Sequence, residues 1–131
     1  MALGIITELP NLDALKELLE NNPGAIILRF TAKWCKPCQV ISPTFYHLLN
    51  YMPNSVLPVV LDVDISTDIY VHMKRNKMMN GIPAFMCYYK GNMSYIPDDM
   101  CIGSDANQLK LLFERCFKHL AAQAQATAKS R

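Results

Sequence analysis

Residues 25–38 read AIILRFTAKWCKPC, and the junction inside that stretch decides the fold. Ala25–Thr31 is a continuous apolar run interrupted only by Arg29, the pattern of a strand covered on both faces. Beyond the cysteines, Val40, Ile41, Thr44, Phe45, Leu48, Leu49 and Met52 recur at helical spacing. Cys35 and Cys38 therefore stand where a strand hands over to a helix, with the first sulfur at the helix N-terminus. Backbone N–H groups without intrahelical partners point outward there, and the helix dipole favours negative charge. A thiol so placed ionises more easily than a free cysteine, and the thiolate is the attacking species in disulfide exchange. Cys38 follows one turn later, close enough to attack Cys35 in its turn, so the pair can cycle between dithiol and disulfide. Pro37 fixes φ in the first turn, where a missing N–H costs nothing, and holds the sulfurs at bridging distance. Pro43 removes a hydrogen bond in mid-helix and is expected to kink it.

Zinc sites use the same C-x-x-C spacing, but they need two further ligands. Cys87, Cys101 and Cys116, like His47, His72 and His119, are scattered singly and form neither a second C-x-x-C nor a histidine pair. No metal is expected. No organic cofactor is expected either, because the electrons of such a pair reside on its sulfurs.

The remaining composition narrows the class. A chain of 131 residues with 51% hydrophobic and 18% charged side chains has the balance of one globular domain. A net charge of +2 with dispersed basic residues argues against nucleic acid or a membrane surface as partner. Apolar runs fall far short of the ~18 residues of a membrane span. Met1–Pro10 shows no basic segment followed by a long apolar run, and five cysteines make an odd number. Both point to a reducing, cytoplasmic compartment.

Outward from the central junction, the elements alternate. Gly4–Leu9 reads as a short first strand. Asn11 caps a helix carrying Leu12, Leu15, Leu18 and Leu19, which Asn22-Pro23-Gly24 ends. Val56–Asp64 reads as a strand, and Ser66 or Thr67 opens a short helix to about Arg75. Pro83–Lys90 and Met93–Cys101 read as a hairpin around Lys90-Gly91-Asn92. A last helix follows Gly103-Ser104 with Leu109, Leu112, Phe113, Cys116, Phe117 and Leu120 along one stripe. The order is βαβαβαββα, an α/β fold with a mixed central sheet sandwiched by helices. The expected domain is 1–120, with 121–131 an Ala/Gln-rich tail that frays because its apolar stripe has run out.

The W-C-x-P-C motif at 34–38, the proline five residues after Cys38, Gly-Ile-Pro-Ala at 81–84 and the element order together resemble the thioredoxin family over about residues 3–120. Gly91 and Gly103 match family glycines as well. The resemblance implies a thioredoxin-like fold, with the bond before Pro83 cis and lying beside the dithiol. It implies a protein-disulfide reductase: Cys35 attacks a substrate disulfide and Cys38 resolves the mixed disulfide. Trp34, Ile82 and Pro83 would line the docking groove, where the backbone of Ile82 could pair with an extended segment. Implied partners are disulfide-containing proteins and a thioredoxin reductase or equivalent electron donor, with the protein itself a monomer. Glutaredoxin fits less well, since Ala84-Phe85-Met86 stands where a glycine-rich glutathione segment is expected. Two other uses of the fold stay open: a disulfide isomerase or oxidase, and a binding module whose redox activity is secondary.

Three positions depart from the family pattern. Arg29 stands six residues before Cys35, where the family often has a buried aspartate, and Val60 replaces a frequent lysine on the following strand. Asp62, two residues beyond Val60 and so on the same face, is the nearest candidate partner for an inward arginine. Arg29 then either forms a charge-reversed pair that stabilises the Cys38 thiolate or snorkels to solvent. Lys36, where many relatives have glycine, either lowers the Cys35 pKa or is a screened surface charge. Cys116 reads as a buried, inert core thiol. A Cys87–Cys101 cross-link depends on the hairpin register.

Overall fold

A computed structural model describes residues 1–129. The elements are α1 (Leu12–Glu20), β1 (Ala25–Thr31), α2 (Lys36–Leu49), β2 (Val56–Asp62), α3 (Thr67–Arg75), β3 (Ala84–Tyr89), β4 (Asp99–Ile102) and α4 (Ala106–Lys129). One four-stranded sheet has the order β2-β1-β3-β4. β1 runs parallel to β2 and antiparallel to β3, which runs antiparallel to β4.

Side-chain alternation in β1 divides the core. Ile26, Leu28 and Phe30 meet Leu15 and Leu19 of α1 and Ile69 and Met73 of α3 on one face. Ala25 and Ile27 point the other way, towards Ile41, Phe45 and Leu49 of α2 and Leu109, Leu112 and Phe113 of α4. The same parity aims Arg29 at α2, and it determines what Arg29 can touch.

Three expectations need correction. The first strand is absent: residues 4–9 make a single parallel bridge, Ile6 to Val59, along the outer edge of β2. Ile6 N–H donates to the Pro58 carbonyl, so the polar groups of residue 58 face this edge, and a proline there has no N–H to return. The order is therefore αβαβαββα. Next, β4 starts at Asp99 rather than Met93. Asn92 spends its side chain on Ile96 C=O, Asp98 and Ser94 N–H, while the Asp98 carboxylate accepts from Tyr89 N–H. These bonds satisfy the backbone locally, in place of a ladder. Finally, residues 121–129 continue α4 instead of fraying. Ala and Gln are good helix formers, and Gln123 and Ala124 flank a hollow shared with Pro23, Gly24 and Ser55. Residues 130 and 131 lie outside the described residues.

Two glycines fix close geometry. A Cβ at Gly24 would stand 2.9 Å from both the Cβ and the carbonyl of Ser55, so only glycine lets this turn abut β2. Gly103 has φ +104, and its N–H donates to the Pro83 carbonyl at 2.8 Å, tying the end of β4 to the start of β3. Among the described residues, no helix is long and apolar enough to cross a membrane.

Candidate active site

β1 delivers the chain to Thr31, and the turn Ala32–Trp34 ends on Cys35, the N-cap of α2. The Cys35 sulfur accepts the N–H of Cys38 at 3.3 Å, the role a serine or aspartate oxygen plays at other helix starts. Cys35 and Cys38 form a disulfide with 5.3 Å between Cα atoms. Cys35 is 5% exposed and Cys38 fully buried, so an incoming group meets Cys35 first. When the bond opens, the Cys38 N–H that already addresses Cys35 Sγ is in place to stabilise a thiolate.

Around the pair, Trp34 is 68% exposed, and its indole N–H donates to the Asp64 carboxylate at 2.9 Å. Lys36 and Pro37 form the exposed first turn of α2. The Ile82-Pro83 bond is cis. Ile82 is half-buried and packs against the apolar cluster to which Cys35 and Cys38 belong.

Arg29 neither snorkels nor takes the partner expected for it. It is only 2% exposed, which excludes snorkelling, and it does not pair with Asp62. Arg29 lies beside Val60 in the sheet, while Asp62 lies beside Thr31, one pleat nearer the strand end. There the Asp62 carboxylate accepts from Asp64 N–H, closing a local turn. Arg29 instead donates to the Cys38 carbonyl at 2.9 Å and to the Ser42 hydroxyl at 3.3 Å, with its guanidinium over the Phe45 and Tyr46 rings. The sequence reading missed Ser42 and Asp64. Ser42 was findable, standing one turn after Cys38 and so on the same helix face. Asp64 was not, because its bond to Trp34 depends on how two strand ends meet.

The remaining cysteines are free and buried. Cys101 opposes Phe85 and Cys87 opposes Asp99, so the hairpin register does not set these two thiols across from each other. Cys87 has Cys116 of α4 as its neighbour, and that thiol together with burial raises its pKa. Among the described residues, no group of three His, Cys, Asp or Glu side chains could hold a metal ion.

The Thioredoxin family model matches residues 8–112. The chain belongs to the thioredoxin family. Thioredoxin of Coprinus comatus is 30% identical over 112 residues, covering 85% of this chain and 97% of that protein. Thioredoxin 3 of Plasmodium falciparum is 28% identical over 112 residues, and the match spans 59% of its length. Among solved structures, a cysteine-to-serine mutant of Entamoeba histolytica thioredoxin superposes with TM-score 0.69 at 30% identity, covering 86% of this chain and 99% of that one. A chain from work on the thiol-resolving mechanism of yeast mitochondrial 1-Cys peroxiredoxin via glutathione/thioredoxin systems gives TM-score 0.68 at 26% identity, covering 84% and 94%. With a bonded cysteine pair at the head of α2, this thioredoxin-family site is that of a thiol–disulfide oxidoreductase.

Proposed function

We propose that the protein reduces disulfides of other proteins. The observation that carries this reading is the capped sulfur: Cys35 sits at the helix N-terminus, accepting an N–H bond, with Cys38 bonded behind it. In the reduced state Cys35 attacks one sulfur of a substrate disulfide and the other leaves as a thiolate. Cys38 then attacks the Cys35 sulfur of the mixed disulfide, releasing the second substrate thiol and restoring the Cys35–Cys38 bond. Trp34, Ile82 and Pro83 form the docking rim, and an extended substrate segment pairs with the backbone near Ile82. Lys36, exposed beside the attacking sulfur, adds positive potential there.

A thioredoxin reductase or equivalent donor returns two electrons to the pair. Peroxiredoxin-type proteins are one fitting substrate class, given the neighbour from peroxiredoxin work. A monomer in a reducing cytoplasmic compartment fits the three unpaired core thiols. Insulin reduction driven by dithiothreitol or a thioredoxin reductase tests the reading. Turnover lost with Cys35→Ser supports it. A native protein that binds partners without reducing insulin would make it a binding module.

A further inference from the structure

Among the described residues, Arg29 is a buried cation with no carboxylate in ion-pair contact. It donates to two neutral acceptors, the Cys38 carbonyl and the Ser42 hydroxyl, and its buried Nε has no partner. The groups around it are Cys38, Ser42, Phe45 and Tyr46 of α2, Val60 of β2 and Phe85 of β3. None is a carboxylate. Asp62 is engaged with Asp64 N–H, and Asp99 forms an ion pair with Arg115 at 2.6 Å. Burial lowers the Arg29 pKa and Tyr46 opposes it, yet a guanidinium keeps its proton in proteins. A charge so placed is costly unless something of opposite sign comes within reach.

We propose that the missing counter-ion is the Cys38 thiolate, so that Arg29 is a positioning residue holding the resolving sulfur ionised once the pair is reduced. The proposal rests on the thiol–disulfide chemistry assigned above to Cys35 and Cys38. In the disulfide, Cys38 Sγ carries no charge and the guanidinium has only neutral partners. Reduction by two glutathione thiols breaks the Cys35–Cys38 bond. Two electrons pass to its sulfurs, and the glutathiones leave as one glutathione disulfide. Of their two protons, the one belonging to Cys38 goes to solvent because Cys38 remains a thiolate, and the other divides between Cys35 and solvent as the Cys35 pKa dictates.

Two consequences follow from the changed charge. The cation stabilises the reduced state more than the oxidised one, so the couple is more oxidising than the same site with an apolar residue at position 29. The resolving sulfur also arrives ionised, and attack on a mixed disulfide needs no carboxylate to take its proton.

The test uses the full chain and two readouts. Equilibration with glutathione and glutathione disulfide gives the redox constant. Arg29→Met is expected to lower the reduced fraction, with at least a ~tenfold fall in that constant, about 30 mV towards more reducing. Arg29→Lys, which keeps the charge, retains most of the native value. The second readout is thiolate absorbance in Cys35→Ser, where Cys38 is the site's one remaining thiol. Its midpoint is expected below the ordinary ~8.5 and to rise in Cys35→Ser/Arg29→Met. Should Arg29→Met fail to fold, the Cys35→Ser titration decides alone, and a midpoint at or above ~8.5 overturns the proposal. A redox constant unchanged in folded Arg29→Met overturns it equally. A native pair that never equilibrates with glutathione would strike the underlying thiol–disulfide reading instead.

Discussion

The protein holds two thiol neighbourhoods, and the same side chain has opposite chemistry in each. Cys35 and Cys38 stand at the N-terminus of α2, with an N–H directed at one sulfur and a guanidinium on the peptide of the other. Cys87, Cys101 and Cys116 line the apolar layer between the sheet and α4, where Phe85, Leu112 and Phe113 surround them. In the first place the surroundings offer positive potential to a thiolate. In the second, burial pushes the Cys101 thiol up, and the neighbouring Cys116 together with burial raises Cys87. Reactivity follows placement, and the count of cysteines says little about it.

The most severe way to break that contrast is to delete sulfurs one at a time. Cys35→Ser should abolish insulin reduction, and Cys38→Ser should accumulate covalent substrate adducts visible by non-reducing electrophoresis. Cys87→Ala and Cys116→Ala should stay within about twofold of the parent's turnover, because neither thiol touches the exchange. A core variant that lost turnover while still folded would show that the two neighbourhoods communicate.

Alkylation of the reduced protein measures the same contrast as a rate. With limiting iodoacetamide, peptide mass spectrometry should find Cys35 modified at least ~100-fold faster than Cys87 or Cys116, since thiolate fraction and access both favour it. Comparable rates would mean that the sheet–α4 layer opens far more readily than its packing suggests.

Phe45 physically joins the two regions. Its ring lies 5.2 Å from the Arg29 guanidinium on one side and 5.6 Å and 5.9 Å from the Phe85 and Phe113 rings on the other. Phe45→Ala should cost about 3–5 kcal/mol in denaturant unfolding, as large aromatic deletions in a packed core do. A loss under ~1 kcal/mol would mean that the layer collapses around the hole.

How much of this was legible in the sequence depends on which residues carried it. The active pair was readable because a strand-to-helix junction and a C-x-x-C are both local patterns. The strand alternation that buries Arg29 was readable too, but not its partner. Asp62 satisfied the face rule and failed on distance along the strand, since its carboxylate had a nearer donor in Asp64 N–H. Side-chain competition of the same kind hid the true start of β4, where Asn92 and Asp98 take up backbone groups that a hairpin would have paired. The extension of α4 was misjudged because the loss of an apolar stripe was read as the loss of a helix. Helix propensity carried it further.

The smallest expected effect separates the two thiol environments by pH. In the oxidised protein the active pair does not titrate, so its sulfurs contribute nothing to the response to base. Cys101 is raised chiefly by burial, with Arg115 opposing. Tyr88 is also raised by burial, and its hydroxyl donates to the Tyr95 carbonyl at 2.6 Å. Each is an acid whose folded pKa exceeds its unfolded one, so above the unfolded value the unfolded chain binds fewer protons than the native one. Stability is then fully present below the unfolded pKa, about 8.5 for a thiol and about 10 for tyrosine, and declines as pH rises beyond it. Denaturant midpoints of the oxidised protein should be level from about pH 7 to 8 and fall from about pH 9 upward. Cys101→Ala removes one of these groups, so its alkaline fall should be shallower than the parent's. Parallel profiles for parent and variant would show that Cys101 meets solvent and belongs with the exposed thiols rather than the core.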